Sequence, residues 1–206
     1  MQRLRGLYAI ADGSGALPPL ALVAAFLEAG AGVVQLRLKR AGAGELLDIA
    51  REAARLCSGR ALFLVNDRPD VARLSGADGV HLGQGDLPVA AAREVLGPEA
   101  LIGLSTHSEE ELAAAREAGA DYLGFGPIFA TTTKETPLPP PRGLAQLQRA
   151  VQHAGRPVVA IGGITAASAG SVRRAGAACA AAIGEICGAD ASERAREFVR
   201  AFAEGR

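Results

Sequence analysis

The stretch Glu117-Ala118-Gly119-Ala120-Asp121-Tyr122-Leu123 joins the end of a predicted helix to the start of an apolar strand. Gly119 stands just past the helix, where the left-handed backbone that often ends a helix costs glycine least. Three further stretches repeat this pattern, with glycine at the same place in each: 28–34, 74–80 and 174–180. The chain therefore contains a recurring unit in which a helix ends at glycine and a strand begins.

The glycines of this unit are separated by 46, 43 and 57 residues. Each interval is long enough for two strand–helix pairs. Apolar runs between the helices predict eight strands: 7–10, 33–38, 61–65, 79–82, 101–104, 122–125, 157–161 and 177–183. An open doubly wound sheet rarely needs eight such units, so strict alternation predicts a closed (β/α)₈ TIM barrel. We expect residues 1–206 to form a single barrel domain.

Composition excludes several classes of partner. The 22 Lys and Arg residues balance the 22 Asp and Glu residues, and aromatic residues are few, so nucleic acid is not expected to bind. No apolar run is long enough to cross a bilayer, so a membrane is not expected either. The three cysteines form no close pair, which is typical of reduced thiols packed in a cytoplasmic protein. Whether the chain forms a homo-oligomer stays open.

Active sites of such barrels lie at the carboxyl ends of the strands, so polar residues there are candidates. On the second strand Gln35, Arg37 and Lys39 alternate with apolar residues, which puts the three polar side chains on one face. Polar side chains on the other face would be buried under helices. We therefore expect this set to face the barrel mouth, the alternative being a strand with a solvated face.

Two acids follow neighbouring strands. Asn66 and Asp67 come directly after the third strand, and Asp86 follows the fourth. Mg²⁺ commonly binds one or two carboxylates, with phosphate and water filling its other positions, so the pair could hold a metal bound to a pyrophosphate. Helix capping is the alternative, because each aspartate precedes a predicted helix and Asp is a preferred N-cap.

An anion-binding loop is predicted after the sixth strand. The stretch 124–134 begins with glycine and proline and ends in Thr131, Thr132, Thr133 and Lys134. Glycines let backbone N–H groups approach an anion, threonines add donors, and lysine adds a positive charge. The alternative is a polar surface loop. Because the longest interval between repeats contains this stretch, we interpret it as an insertion that serves the site.

Further candidates follow the seventh, eighth and fifth strands. Gly162-Gly163 and Ile183-Gly184 stand where barrels of this kind commonly bind phosphate through backbone N–H groups. Ser105 ends the fifth strand, and its hydroxyl could contact a ligand or solvate the strand end. His107 could move a proton, although no acid is placed in the sequence to orient it. His81 and His153 receive no role.

Together these residues resemble the thiamine phosphate synthase family over essentially the whole chain. The resemblance is carried by Leu7-Tyr8-Ala9-Ile10, Gln35-Leu36-Arg37-x-Lys39, Asn66-Asp67, His81-Leu82-Gly83-Gln84-x-Asp86, Gly126-Pro127-Ile128-Phe129-x-Thr131-x-Thr133-Lys134 and Ile161-Gly162-Gly163-Ile164. It implies an enzyme that joins hydroxymethylpyrimidine diphosphate to carboxylated thiazole phosphate, releasing pyrophosphate and CO₂. It also implies Mg²⁺ as the cofactor.

The resemblance implies a role for each matching residue. The pyrimidine diphosphate would contact Gln35, Arg37, Lys39, Asn66, Ser105 and Lys134, and the metal ligands would be Asp67 and Asp86. The thiazole phosphate would contact Thr131, Thr132, Thr133, Gly163, Ile183 and Gly184. Of these, Arg37, Ser105 and Lys134 would be catalytic, because pyrophosphate leaves more easily when its charge is neutralised as the carbon–oxygen bond breaks.

Two positions depart from the family pattern. Leu38 stands where the family commonly has an acid, and Gly184 stands where it commonly has serine. Two other functions remain as alternatives. A thiazole tautomerase of the same family would use His107 as its base and would need neither the metal nor the diphosphate. A non-catalytic sensor would bind thiamine precursors without needing the paired aspartates.

Overall fold

The computed structural model describes residues 4–13, 17–131 and 140–205 of the chain. In it, eight parallel strands pair in sequence order, and the eighth pairs with the first to close a barrel. The strands are β1 (Gly6–Asp12), β2 (Val33–Arg37), β3 (Leu62–Asn66), β4 (Gly79–Leu82), β5 (Leu101–Thr106), β6 (Tyr122–Phe125), β7 (Val158–Ala160) and β8 (Cys179–Ala182). The predicted (β/α)₈ barrel is confirmed.

A helix follows every strand and covers the outside of the barrel. The helices are α1 (Pro19–Glu28), α2 (Ala43–Cys57), α3 (Pro69–Ser75), α4 (Val89–Leu96), α5 (Glu109–Glu117), α6 (Gly143–His153), α7 (Ala166–Arg174) and α8 (Ala191–Glu204). Among the described residues no helix combines the length and apolar character needed to cross a membrane. Cys57, Cys179 and Cys187 are buried free thiols, as their predicted packing role requires.

Side chains of each strand alternate between two apolar layers. On β1, Leu7 and Ala9 pack outward against the helices, whereas Tyr8 and Ile10 point into the barrel. Burying both faces removes a large apolar area from water, which stabilises the barrel by about 25 cal/mol for each Å². The same alternation on β2 turns its polar residues inward.

The glycine pattern found in the sequence ends every second helix. Gly30, Gly76, Gly119 and Gly176 have φ values of 82°, 74°, 85° and 97°, the left-handed region that glycine adopts without strain. Gly76 follows α3 directly, and the other three follow α1, α5 and α7 after a single alanine. The repeat therefore marks pairs of strand–helix units, as predicted.

Several strand ends differ from the predictions, among them those of β5 and β8. β5 continues to Thr106, two residues beyond its predicted end, because Ser105 and Thr106 pair with Gly124 and Phe125 of β6. The predicted eighth strand begins too early, at residue 177, because the Ala177 N–H still bonds Val172 O at the end of α7. The longer β5 carries Ser105 into the barrel mouth.

Candidate active site

Two adjoining cavities occupy the carboxyl end of the barrel. The first, here called the polar cavity, has a volume of about 140 Å³ and is lined by Gln35, Arg37, Lys39, Asn66, Asp67 and Asp86 among others. The second, the glycine-lined cavity, has a volume of about 300 Å³ and is lined by Thr131, Gly162, Gly163, Ile183 and Gly184 among others. Ser105, Gly124, Ile161, Ala181 and Ile183 line both cavities. Molecules bound in the two cavities would meet beside these residues.

The β2 polar residues line the polar cavity, as their alternation predicted. Gln35 is only 2 % exposed, and its Nε2 has no hydrogen-bond partner among the described residues. A buried donor without a partner costs about 1–3 kcal/mol, so its position at a cavity wall indicates a ligand that brings an acceptor. Arg37 and Lys39 add positive charge to the same wall.

Arg37 is held by an acid that the sequence pattern did not single out. Asp12 is buried at the end of β1, is the register partner of Arg37 on β2, and forms an ion pair with it. The pair fixes the guanidinium at the cavity wall. No local pattern around Asp12 could have shown this, because the contact depends on how β1 and β2 align.

Asp67 and Asp86 line the polar cavity within hydrogen-bonding reach of one another. Burial, hydrogen bonding with Asp86 and the negative charge of Asp86 raise the pKa of Asp67 to about 6, whereas Lys39 and Arg37 act in the opposite direction. Lys39 Nζ lies 4.0 Å from Asp67 Oδ2. The Gly83 N–H donates to Asp86 Oδ2 at 2.7 Å, which orients that carboxylate.

Helix capping does not explain either acid. The residues at the N-cap positions of α3 and α4 are Arg68 and Pro88, and no side chain caps either helix. Asp67 instead has φ of 62°, a left-handed conformation that Asp tolerates better than most residues. The capping alternative is therefore wrong for both positions.

The two carboxylates fit a divalent cation. Burial and the neighbouring Asp86 both raise the pKa of Asp67, and a cation bound by the two carboxylates would offset the repulsion between them. Mg²⁺ commonly takes one or two carboxylates and completes its octahedron with phosphate oxygens and water. The described residues contain no cluster of three or more His, Cys, Asp or Glu side chains suited to a metal. Two carboxylates alone would leave the remaining positions of such an ion to phosphate oxygens and water.

Close backbone contacts shape the glycine-lined cavity. Gly162 and Gly163 have φ values of 98° and 62°, and a Cβ on Gly163 would lie 2.3 Å from Ala130 O. The Phe129 N–H donates to Gly162 O at 3.0 Å, so the segment after β6 is tied to the segment after β7. Glycine is required here because any side chain would push these two segments apart.

Backbone hydrogen bonds join the described residues on the two sides of the gap after β6. Pro127 O accepts from the Arg142 N–H at 2.8 Å, and Ile128 O accepts from the Gly143 N–H at 2.9 Å. Thr131 lines the glycine-lined cavity as the last described residue before the gap. The candidates Thr132, Thr133 and Lys134 lie outside the described residues.

A chain of hydrogen bonds crosses the barrel interior and ends at Ser105. Tyr8 and Tyr122 join their hydroxyls at 3.0 Å, Tyr122 Oη lies 2.9 Å from His81 Nδ1, and His81 Nε2 lies 2.9 Å from Ser105 Oγ. A Cβ on Gly103 would lie 2.0 Å from the Tyr122 ring, so this glycine makes room for it. Sequence reasoning missed Tyr8, Tyr122 and His81 as site residues, although the alternation Val80-His81-Leu82 carries the signal used for β2.

His107 has an acidic partner, contrary to the expectation from sequence. Glu111 Oε2 accepts from the His107 backbone N–H at 2.6 Å and lies 3.3 Å from His107 Nδ1. Ser108 caps α5 by accepting from the Glu111 N–H, which turns the Glu111 side chain back towards His107. His107 lines the glycine-lined cavity, as does Glu185, which sequence reasoning also missed.

Comparison with known proteins gives consistent results. The family model described as thiamine monophosphate synthase matches residues 7–186. The thiamine-phosphate synthase of Anaeromyxobacter dehalogenans is 49% identical over 205 residues, which cover 99% of this chain and 90% of that protein. The thiamine-phosphate synthase of Myxococcus xanthus is 44% identical, with coverage of 98% and 94%.

A solved structure agrees with these relatives. The thiamine phosphate pyrophosphorylase from Pyrococcus furiosus superposes with a TM-score of 0.90 at 36% identity, covering 99% of this chain and 98% of that one. The likeness therefore covers nearly the whole of both chains.

Proposed function

The chain belongs to the thiamine monophosphate synthase family, and we propose that it joins hydroxymethylpyrimidine diphosphate to carboxylated thiazole phosphate. The products would be thiamine phosphate, pyrophosphate and CO₂. The observation that carries this proposal is the pair of adjoining cavities, one lined by charged side chains and one by glycines, which meet at Ser105.

The pyrimidine diphosphate would occupy the polar cavity. Gln35 has an unpartnered Nε2 donor there, Arg37 and Lys39 supply positive charge, and Asn66 lines the same wall. Arg37 is held in place by Asp12 before any ligand arrives. A fixed cation of this kind stabilises charge that develops on a leaving diphosphate without first having to move.

Asp67 and Asp86 would hold Mg²⁺ together with oxygens of the diphosphate. The metal would neutralise charge on the leaving group. The part played by the chain itself is to orient the two carboxylates, through the Gly83 N–H at Asp86 and the left-handed backbone at Asp67.

The thiazole phosphate would occupy the glycine-lined cavity. Thr131, Gly163, Ile183 and Gly184 line it, and the resemblance adds Thr132 and Thr133. Because glycine has no side chain, backbone N–H groups at Gly163 and Gly184 can approach phosphate oxygens. Gly184 brings no hydroxyl to this contact, so its backbone would have to suffice.

Bond breaking would precede bond formation. The carbon–oxygen bond of the diphosphate ester breaks, its electrons leave with pyrophosphate, and the aminopyrimidine delocalises the resulting methylene cation. The thiazole ring nitrogen then donates its electron pair to that carbon. The carbon–carbon bond to the carboxylate breaks with loss of CO₂, and its electron pair stays on the thiazole moiety, which takes up a proton. Arg37, Ser105 and Lys134 would act on the leaving group, because charge accumulates there in the transition state.

Residues 1–206 would form one barrel domain acting in the cytoplasm, which the three buried free thiols support. Sedimentation of the purified chain would decide whether it forms a homo-oligomer.

One assay tests the function. The purified chain would be given both substrates with Mg²⁺, either substrate alone, or both with a chelator, and thiamine phosphate would be measured by chromatography. We expect product only when both substrates and Mg²⁺ are present. Isomerisation of the thiazole substrate alone would support the tautomerase alternative, and tight binding without product would support the sensor.

A further inference from the structure

The hydrogen-bond chain from Tyr8 to Ser105 has two possible directions. In one, each hydroxyl donates towards Ser105, so that Tyr122 donates to His81 Nδ1 and His81 Nε2–H donates to Ser105 Oγ. In the other, Ser105 donates to His81 Nε2, His81 Nδ1–H donates to Tyr122, and Tyr122 donates to Tyr8. The Tyr8 hydroxyl hydrogen then needs an acceptor outside the chain. Because Ser105 lines both cavities, the direction decides whether its own hydrogen is available to a ligand.

The buried end of the chain decides between these directions. Tyr8 is only 2 % exposed, and among the described residues Tyr122 is the hydrogen-bond partner of its hydroxyl. Tyr8 lines the polar cavity, but its side chain is almost fully buried, so if the chain ran towards Tyr8 its O–H would find no acceptor among the described residues, at a cost of about 1–3 kcal/mol. The Cys179 thiol also lies near Tyr8, but a thiol is only a weak acceptor.

Both tyrosines keep their hydrogens at physiological pH. Burial raises the pKa of Tyr8, and burial with the nearby Tyr8 raises the pKa of Tyr122 well above its ordinary value. Tyr122 can therefore act as a donor to His81 Nδ1, and a neutral imidazole that accepts at Nδ1 carries its hydrogen at Nε2.

We infer that Tyr122 and His81 are positioning residues that hold Ser105 as an acceptor from His81 Nε2–H, leaving the Ser105 hydroxyl to donate into the junction of the two cavities. The recipient would be an anionic or lone-pair oxygen of the bound ligand. The identity of that oxygen rests on the proposed function, in which it belongs to the diphosphate. A diphosphate oxygen gains negative charge as the ester bond breaks, so a hydroxyl that donates to it stabilises the transition state most strongly.

A spectroscopic test needs no substrate. The sequence has three histidines, so a ¹⁵N spectrum of the imidazoles contains three sets of signals, and His81→Gln identifies the set from His81. We expect the wild-type His81 ring to carry hydrogen at Nε2 and to accept at Nδ1, and Tyr122→Phe to shift the Nδ1 resonance. A neutral ring with its hydrogen at Nδ1 would overturn the inference even if the synthase activity is established.

A kinetic test uses two variants at the same position. Gln can place an amide N–H near the position of imidazole Nε2, whereas Leu has no donor. We expect His81→Leu to lower kcat about tenfold or more with a smaller change in KM, and His81→Gln to recover most of that loss. Equal kcat values for the two variants would contradict the inference. If the Leu variant does not fold, as circular dichroism would show, the spectrum of the wild-type ring decides.

Discussion

Arg37 and Asp12 are register partners on neighbouring strands, and their side chains form an ion pair at the wall of the polar cavity. Arg37 therefore has two tasks: it is a candidate contact for the diphosphate, and it compensates the charge of a buried carboxylate. Lys39 lines the same cavity, but its side chain is 59% exposed, and its Nζ lies 4.0 Å from Asp67 Oδ2.

Arg37→Ala should therefore destabilise the protein, whereas Lys39→Ala should not. Removing a cation that bonds a buried carboxylate costs about 1–3 kcal/mol, and loss of an exposed ion pair costs about 0–1 kcal/mol. Urea denaturation of both variants measures the difference in the free energy of unfolding. Both should also lose turnover. Equal stability of the two variants would mean that the Asp12 pair contributes nothing to the fold.

Asp67→Asn and Asp86→Asn should each lower Mg²⁺-dependent turnover by about a hundredfold or more, because each removes a charge from the proposed metal site. Neither should lose the stability expected from a helix cap, since neither residue caps its helix. The measurement is the rate of thiamine phosphate formation over a Mg²⁺ titration. Asp48→Asn, on the exposed surface of α2, is the matched control. Near-normal rates in both active-site variants would show that the metal assignment is wrong.

The contribution of Asp67 to the stability of the metal-free protein should decrease as the pH rises through about 4 to 6. The pKa of Asp67 is raised from 3.8 to about 6 in the folded state, so in this window the unfolded chain binds fewer protons than the folded one. Asp67→Asn removes this effect and should raise Tm relative to the wild type more at pH 7.5 than at pH 4. Thermal unfolding in a chelator measures the difference. A Tm difference that does not change with pH would contradict the shifted pKa.

His107→Ala should leave synthase turnover largely intact, because the proposed reaction depends on stabilising a leaving group more than on removing a proton. Glu111 orients His107, so His107 has the acidic partner that a proton-transferring histidine needs. A loss of about a hundredfold or more, the range of a general acid or base, would favour the tautomerase alternative. His153→Ala, on the exposed end of α6, controls for the loss of a histidine elsewhere.

Lys134→Gln should lower kcat more than it raises KM, because the contact of the lysine strengthens as charge develops on the diphosphate. This expectation rests on the sequence, in which Lys134 ends the threonine run that begins at Thr131. Steady-state kinetics at saturating thiazole substrate measure both constants. Lys134→Arg keeps the charge and should retain more activity than the Gln variant. A Gln variant with wild-type kcat would remove Lys134 from the catalytic set.

Patterns within a few residues were enough to predict the barrel and much of its mouth. Glycine after a helix, alternation on β2 and acids at strand ends are local signals, because helix and strand periods repeat over short distances. These signals predicted Gln35, Arg37 and Asp67 at the barrel mouth, and all three line the polar cavity. They could not separate a metal ligand from a helix cap, since both use an aspartate after a strand.

Closure of the barrel decided the contacts that no local pattern contains. Asp12 meets Arg37 because β1 and β2 align at that register, and Tyr8 meets Tyr122 across 114 residues of sequence. His81 and Ser105 join this chain from β4 and β5. Side chains from distant strands converge in a barrel because all its strands point their alternate residues at one shared interior. The residue types were present in the sequence, but their partners depended on strand register and ring closure.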